Sequence, residues 1–524
     1  KKTLFVLFFL ILCIFIKTDY RLEPGIYCCK DDHDYYAHAE TIAIDFDFDY
    51  SNQFYGNEEE RFIYNGKTAP SAFFGAGLLS APFLFLGNIF DIIFEGRGMF
   101  NFKIIFYSFS SIFYLIFTFI LINKISISLN PRFSSLFLYI FVLGSGVGYY
   151  SFERYSMSHI YEIFSITLLI YFCISFFVIK DNNKIAFMIP LLIMIAMMTR
   201  WVNIYVIFLP FIVAKMLSKP LNKLLKNRYF LSSFIFSFLL FLYHTYLIFG
   251  VVTLNVEFTY NTSGTLSNFI GSDFGLMPFI FKNIKNLFLL LFGPEFGLFW
   301  FAPIIFFGIY LSVKNLILNS TKQKVVYLFV ILCFMQVFAL VLIWQSAGSS
   351  YGYRYTFNLV PLSLLILFCQ TKLHKLELFY IKFMSVFASL SVLYFETSKN
   401  TQLATEYTTN MFGKITKFTN PEYLYGFIKS FYELEVYLKI FAQSFLGFAI
   451  FYLIIYIFGI DNFYTFMNNL SLPSENSDFQ NLINKIQIIE FEKFVVSIIL
   501  ILLATFLLTK HTYDSKQYIQ NDLN

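Results

Sequence analysis

The sequence contains few charged residues. Only 14% of its 524 residues are Asp, Glu, Lys or Arg, whereas 58% are hydrophobic. An average soluble domain has about 25% charged residues, and a soluble chain of this length could not hide so much apolar surface in one core. A disordered chain is excluded as well, because low hydrophobicity is its signature. The composition therefore predicts an integral membrane protein, whose helices expose apolar side chains to lipid.

Several kinds of functional motif are also missing. The net charge is only +5, and no basic block of the kind that binds nucleic acid is present. The six cysteines show no CxxC or Cys/His ligand spacing, so a structural zinc site is not expected. Cys28 and Cys29 are adjacent, which disfavours their pairing with each other. No internal repeat is visible, which argues against a transporter built from inverted repeats.

Long apolar runs recur along the chain. A helix needs about 20 apolar residues to cross the hydrocarbon, and backbone groups in lipid must be satisfied internally, so these runs are predicted helices. The prediction is an all-α polytopic membrane protein with about twelve to thirteen transmembrane helices. The predicted spans are 3–16, 102–123, 134–152, 158–179, 185–199, 201–216, 230–250, 296–313, 325–343, 356–371, 377–395, 439–459 and 487–509.

The first run and the short loops give the orientation. The run after Lys1-Lys2 could be a signal peptide, but no small-residue cleavage site follows it, so we interpret it as a retained helix. With the N-terminus in the cytoplasm, five consecutive cytoplasmic loops are rich in basic residues. Those residues are Lys124, Arg132, Lys180, Lys184, Lys215, Lys219, Lys223, Lys226, Arg228, Lys314, Lys322, Lys324, Lys372 and Lys375.

The opposite side then carries three long loops, residues 17–101, 251–295 and 396–438. Within the first of them, the stretch from Ala69 to Phe90 is apolar but interrupted by Pro70 and Pro82. We interpret this stretch as helices that lie on the membrane surface.

Acidic residues gather in the same loop. Asp31-Asp32-His33-Asp34-Tyr35-Tyr36 follows the first predicted helix, and Asp45-Phe46-Asp47-Phe48-Asp49-Tyr50 comes soon after. An acidic cluster at a membrane face repels itself, so it persists more easily if it binds a cation or acts as a general base. The alternative is a solvated loop without a specific role.

Cations lie on the same side. Arg354 and Tyr351 belong to a Gly-rich and Tyr-rich connection, where a guanidinium suits a phosphate at head-group level. Its alternative role is to snorkel to ordinary lipid phosphates. Lys67 adds a cation to the first loop, and Arg200 interrupts an apolar stretch.

A short outer turn, residues 151–159, contributes Glu153, Arg154 and His159. Most such residues at a membrane edge cap helices. Together, an acidic cluster and several cations on one side are what a reaction between a lipid-borne phosphate and an acceptor needs.

Five stretches carry a resemblance to a known family. They are Asp31-Asp32 with Tyr35 and the later DFDFDYSN run, KTAPSAFFGAGLLSAPFLFLG at 67–87, SMSHIYEIF at 156–164, GPEFGLFWFAP at 293–303 and WQSAGSSYGYRYTFNLVPL at 344–362. In this order they resemble the GT-C superfamily of membrane glycosyltransferases that use polyprenyl-phosphate sugars. The nearest in style are bacterial relatives of protein O-mannosyltransferases and aminoarabinose transferases.

The resemblance implies roles for individual residues. Asp31 resembles the family's general base or acceptor-orienting acid, and Asp32 is the second choice for the same role. Lys67 and Arg354 match contacts to the donor phosphate. Many members need no metal, but one branch uses a divalent cation, which Asp31 and Asp32 would hold. The substrate cavity candidates are Tyr35, Glu153, His159, Arg200 and Tyr351.

The resemblance also implies an organisation and an activity. Residues 1–395 would form a GT-C-like catalytic module that includes the outer loop 17–101, and residues 396–524 would add an outer loop and the last helices. The expected activity is inverting transfer of a sugar from a polyprenyl-phosphate donor to a lipid, glycan or protein acceptor. The expected location is a bacterial inner membrane, with the site facing the periplasm or the cell exterior.

Three other functions compete with this expectation. A polysaccharide polymerase or ligase also has many spans and outer arginines, but it predicts a dominant large loop late in the chain. A lipid or solute transporter would place functional charges near the middle of the membrane. A scaffold without catalytic activity is the third alternative.

Overall fold

The computed structural model describes most of the first 398 residues. The described residues are 30–54, 63–64, 66–93, 102–129, 133–152, 154–178, 182–254, 276–293, 297–318, 321–344, 353–370, 372–398, 457–459 and 462. The predicted spans 3–16 and 487–509 lie outside the described residues, as do most of 439–459 and of the predicted C-terminal region 396–524.

The described chain is predominantly helical. Its one β-hairpin pairs β1, Ile63–Tyr64, with β2, Lys67–Thr68, in antiparallel register. The α-helices are α1 Lys30–Glu40, α2 Phe74–Ile93, α3 Phe102–Leu129, α4 Ser135–Val142, α5 Gly148–Phe152, α6 His159–Val178, α7 Asn183–Thr199, α8 Leu209–Met216, α9 Asn222–Leu225, α10 Arg228–Phe249, α11 Leu276–Phe292, α12 Leu298–Phe301, α13 Pro303–Leu318, α14 Thr321–Trp344, α15 Val360–Phe368 and α16 Lys375–Ser398. Two π-helical segments, Thr41–Asp45 and Leu143–Val147, and two 3-10 segments, Trp201–Phe208 and Arg354–Leu359, extend these helices.

These helices agree with the predicted membrane class. Each of the ten predicted spans that fall mainly within the described residues coincides with a helix or a continuous run of helical segments. Four described helices are long and apolar enough to cross a membrane, and several shorter apolar helices accompany them. The four are Phe74–Ile93, Phe102–Leu129, His159–Val178 and Arg228–Phe249.

Helix α10 shows what the surface of this bundle contacts. One of its faces is buried, whereas large apolar side chains on the other face are exposed. A continuous apolar patch of this size marks contact with an apolar partner, which for a membrane protein is the lipid. The exposed side chains include Leu231, Phe234, Ile235, Phe236, Phe238, Leu239, Tyr243 and Tyr246.

Small residues let helices approach closely inside the bundle. A Cβ atom on Gly308 of α13 would lie 2.5 Å from Oγ of Ser363 in α15. A Cβ atom on Gly144 would lie 2.5 Å from the carbonyl oxygen of Ser385 in α16. Helices in lipid associate through such close contacts, because the apolar surroundings offer no hydrophobic driving force.

Helix α2 packs antiparallel against α3: Phe83 contacts Phe113, and the hydroxyl of Tyr114 donates to the carbonyl oxygen of Leu79 at 2.7 Å. Gly75, near its start, packs against the backbone of Thr199 at the end of α7. Near its end, the carboxylate of Asp91 accepts hydrogen bonds from the backbone of Phe102 and Lys103 at the start of α3, at 2.8 and 3.2 Å. We name the end of the bundle where α7 ends and α3 begins the outer end, after the predicted orientation.

The placement of the α2 segment on the membrane surface stays a prediction, since the same helix is long and apolar enough to cross a membrane. The structure differs from the prediction in forming a single helix that contains Pro82. Two further helices, α1 and α11, lie in segments that the hydrophobicity pattern assigned to outer loops.

Candidate active site

Helix α1 carries the acidic cluster, and two of its carboxylates are buried. Asp32 and Asp34 are both 0% exposed. Arg154 donates to Asp32 at 3.0 Å, and the hydroxyl of Ser156 donates to its other oxygen at 2.5 Å. Two residues along a helix differ by about 200° in direction, so Asp34 faces elsewhere. It accepts hydrogen bonds from the backbone and the hydroxyl of Ser71.

Tyr35 joins α1 to the same outer turn. It lies three residues after Asp32, and residues three apart share one face of a helix. Its hydroxyl donates to Oγ of Ser158 at 3.1 Å. The turn that precedes α6 is therefore attached to α1 by an ion pair and by hydroxyl hydrogen bonds, and α1 is a buried structural helix of the site.

A third buried carboxylate lies on α6. Glu162 is 0% exposed, and its Oε1 atom lies 3.4 Å from Nη1 of Arg200 and 3.4 Å from Nδ1 of His159. His159 is one helical turn before Glu162, and Arg200 occupies the tip of the hairpin between α7 and the following 3-10 segment. This contact connects the outer ends of three helical elements.

Arg354 reaches the same place from late in the chain. It opens the 3-10 segment Arg354–Leu359, and its guanidinium lies 3.9 Å from the sulfur of Met157 and 3.2 Å from the hydroxyl of Tyr355. The Tyr355 ring is shared, because Cζ of Arg200 lies 4.9 Å and Cζ of Arg354 lies 5.1 Å from its centroid. Such contacts are cation–π interactions.

We name the set Asp32, Arg154, Glu162, Arg200, Arg354 and Tyr355 the arginine cluster. Arg200 and Arg354 share the Tyr355 ring, and Arg200 and His159 share the Glu162 carboxylate. Arg354 also contacts Met157, in the turn that carries Arg154. Arg154 and Arg200 are each 8% exposed, so the cluster is largely shielded from solvent. Guanidinium forks in such surroundings match the oxygens of a phosphate.

Lys67, a predicted phosphate contact, lies elsewhere. Its Nζ atom donates to the carbonyl oxygen of Leu247 at 3.1 Å, in the last turn of α10. A cation there satisfies a terminal carbonyl group and the negative end of the helix dipole. Among the described residues, no hydrogen bond or ion pair joins Lys67 to the arginine cluster.

The structure thus brings together Asp32, Tyr35, His159, Arg200 and Arg354 of the predicted site. Glu153 and Tyr351 lie outside the described residues. For Asp31 only the backbone is described, within α1. Its predicted role therefore stays a prediction.

Four members of the site were missing from the predicted set of site residues. Arg154 was noted in the outer turn but was given no role in the site. Ser156 and Glu162 lie in the SMSHIYEIF stretch, and Tyr355 directly follows Arg354. Glu162 had a detectable signal, since an ionisable residue inside an apolar helix is costly and marks a functional site. Ser156 had none, because its importance depends on a partner 124 residues earlier in the chain.

The predicted divalent cation can be compared with the geometry of Asp32. Both of its oxygens accept hydrogen bonds from protein groups, which makes it a poor metal donor in this arrangement. Within the described part of the chain, no group of three or more His, Cys, Asp or Glu side chains could hold a metal ion.

His38 anchors the other side of α1. Its Nε2 lies 3.0 Å from the carbonyl oxygen of Ala72, and its Nδ1 lies 2.8 Å from the hydroxyl of Tyr50. A carbonyl oxygen only accepts, so Nε2 carries the proton and Nδ1 accepts from Tyr50. Burial lowers the pKa of His38 to about 4. The neutral ring therefore connects α1 to two segments of the first loop.

The chain was also compared with known proteins. Comparisons with protein-family models, with curated proteins and with solved structures found no match.

Proposed function

We propose that this protein transfers a sugar from a polyprenyl-phosphate donor to an acceptor on the non-cytoplasmic face of a membrane. The acceptor would be a lipid, a glycan or a protein, and the transfer would invert the anomeric centre. One observation supports this most strongly. Arg200 and Arg354 come from distant stretches of the chain, yet they share the Tyr355 ring, and Arg354 contacts the turn that carries Arg154.

The position of the cluster suits a lipid-borne phosphate. Arg200 lies at the tip of a helical hairpin and Arg354 opens a helical segment. Under the predicted topology, both would lie where helices meet the head-group region. Their guanidinium groups share the ring of Tyr355, although like charges repel. A bound phosphate between them would relieve this repulsion and would become more negative as the glycosidic bond breaks.

The neighbouring acids Asp31 and Asp32 on α1 would have different roles. Asp32 holds Arg154 and Ser156 and acts as a positioning residue. Asp31 would be the general base. In the proposed step the acceptor oxygen bonds to the anomeric carbon while the bond from that carbon to the phosphate oxygen breaks. The acceptor proton passes to the Asp31 carboxylate, and polyprenyl phosphate leaves with the bonding electrons.

The location of the charges favours transfer over transport. A transporter places its ionisable groups near the middle of the membrane. In this chain Arg154 and Arg200 lie between helical segments, and Arg354 is the first residue of one. The polymerase alternative depends on a dominant late loop, and residues 399–456 lie outside the described residues.

The first test compares glycolipids and glycans from cells with and without the gene by mass spectrometry. The proposal expects loss of one defined sugar mass, together with accumulation of its polyprenyl-phosphate donor. Complementation with the wild-type gene should restore the sugar, whereas Asp31→Asn, with membrane insertion verified, should not. Unchanged glycoconjugates in cells lacking the gene, under conditions where the wild type is expressed, would refute the proposal.

A further inference from the structure

A well-formed basic connection joins α8 to α10 at the end of the bundle opposite the outer end, which we name the inner end. We define it as residues 215–228, whose cations are Lys215, Lys219, Lys223, Lys226 and Arg228. Two backbone hydrogen bonds terminate α8. The amide of Ser218 donates to the carbonyl oxygen of Lys215 at 3.1 Å, and the amide of Lys219 donates to the carbonyl oxygen of Ala214 at 2.8 Å. Ser218 has a φ of 52°, the left-handed conformation typical of a helix C-terminus.

The rest of the connection is equally defined. Pro220 prevents α8 from continuing, the one-turn helix α9 follows, and the side chain of Asn227 caps the start of α10 by accepting from Tyr229 at 2.9 Å. Leu224 is 0% exposed and fixes the connection to the bundle. The backbone therefore holds its cations in place instead of leaving them on a random coil.

The charges of this connection are of one sign. All five cations are exposed, and residues 182–256 contain no Asp or Glu. The positively charged surface continues onto the start of α7. The side-chain amide of Asn227 donates to the side-chain oxygen of Asn183 at 3.2 Å, and the next residue, Lys184, is exposed. Such a concentration of positive charge attracts anions.

The length of the hairpin places these cations at a membrane surface. The 3-10 segment Trp201–Phe208 and α8 have eight residues each, which corresponds to a length of roughly 28 Å. The hydrocarbon of a bilayer is about 30 Å thick. With Arg200 at one head-group layer, Lys184 and Lys215 lie at the other.

Apolar side chains in the same connection point to lipid as the source of the anion. Leu225 is 44% exposed and Tyr229 is 36% exposed, next to Lys226 and Arg228. A segment that exposes cations and large apolar groups together is suited to the boundary between head groups and acyl chains. We propose that the basic connection binds the anionic head groups of phospholipids in the leaflet at the inner end. This inference does not depend on the proposed transfer activity.

The test measures which lipids the purified full-length chain retains. The protein is equilibrated with equal amounts of phosphatidylglycerol and phosphatidylcholine in detergent, isolated, and its bound lipid quantified by mass spectrometry. The wild type should retain phosphatidylglycerol in excess. Each interfacial lysine contributes about fivefold to such binding, so the triple variant Lys219→Gln, Lys223→Gln, Lys226→Gln should bind this lipid roughly 100-fold more weakly and lose the enrichment.

A matched control distinguishes local binding from general charge. The variant Lys324→Gln, Lys372→Gln, Lys375→Gln removes three exposed lysines that lie in the first turn of α14, just before α16 and at the start of α16. These lie at the same end by the predicted topology, and the variant should keep the enrichment. Replacing Lys219, Lys223 and Lys226 by Arg should keep it too, which guards against a folding defect. Inorganic phosphate should not displace the lipid. Equal enrichment in both Gln variants, equal loss in both, or displacement by phosphate would overturn the proposal.

Discussion

The guanidinium of Arg154 lies 3.0 Å from the carboxylate of Asp32, and the two residues are 122 positions apart in the chain. Both side chains are largely buried, at 8% and 1% exposure. This ion pair fixes α1 against the turn before α6. Removing one partner would leave an uncompensated charge in the protein interior.

The ion pair gives the first prediction. Asp32→Asn should reduce stability by about 3 kcal/mol or more, since a broken buried pair costs roughly 3–5 kcal/mol. Arg154→Gln should have a similar effect. The double variant should be more stable than the sum of the two losses predicts, by about 1–3 kcal/mol. Denaturation of the detergent-solubilised protein measures all four forms, and strictly additive losses would contradict the pairing.

Arg200 predicts that the shape of the guanidinium group matters in addition to its charge. Its guanidinium contacts Glu162 and also lies over the Tyr355 ring. Lysine retains the charge but lacks the planar fork that makes both contacts. Arg200→Lys should therefore lower donor turnover about tenfold or more under the proposed function, with little loss of folded protein. Lys67→Arg, at a site without a described contact to the cluster, is the control. Wild-type turnover in Arg200→Lys would refute the requirement for the fork.

His38 predicts a pH dependence of stability. Burial lowers its folded pKa to about 4, whereas an unfolded histidine titrates at about 6.5. Between these values the unfolded chain binds a proton that the folded chain does not, so stability falls as the pH drops from about 6.5 to about 4. The full loss would be about 3 kcal/mol. Below about pH 4 this contribution should change no further.

Variants identify the group responsible. Tyr50, the Ala72 carbonyl, Phe74 and His244 face the His38 ring. His38→Gln should flatten the fall in melting temperature between pH 6.5 and pH 4. His374→Gln changes an exposed histidine and should leave the profile as in the wild type. If both variants keep the wild-type slope, His38 is not the titrating group.

Gly77 predicts a steric requirement between α2 and α1. A Cβ atom there would lie 2.3 Å from Cβ of His38 and 2.9 Å from the backbone nitrogen of Ala39. Backbone must move to admit it, so Gly77→Ala should destabilise the protein by about 1–3 kcal/mol. Gly66→Asn places a side chain in open space at a φ of 74° that asparagine tolerates. It should be nearly neutral, and an equal effect of both variants would contradict the close contact.

The sequence was sufficient to predict the membrane class and most of the helices. A membrane helix is encoded locally by about 20 apolar residues, so each span could be recognised without knowledge of its neighbours. Helix α1 was different, because its sequence KDDHDYYAHAE is polar and suggests an exposed loop. Its burial depends on Arg154, Ser156 and Ser158, which no local pattern relates to it.

The candidate site was predicted in part for the same reason. Arg200 and Arg354 could be singled out because a charge at the edge of an apolar run is conspicuous. Lys67 was equally conspicuous, but in the structure its ammonium group contacts the end of α10. Sequence position identifies which charges are unusual, whereas only the packing of helices shows which of them meet.

The most direct test of the central proposal is the fate of a lipid-linked sugar on the reconstituted protein. The full-length chain in lipid vesicles is given polyprenyl-phosphate sugars extracted from its own host membranes, together with the host's lipid, glycan and protein acceptors. Mass spectrometry then measures the donor, free polyprenyl phosphate and glycosylated product. The proposal predicts that wild-type protein converts donor to polyprenyl phosphate and product, and that Asp31→Asn does not. An intact donor that only moves between leaflets in the presence of wild-type protein would contradict it.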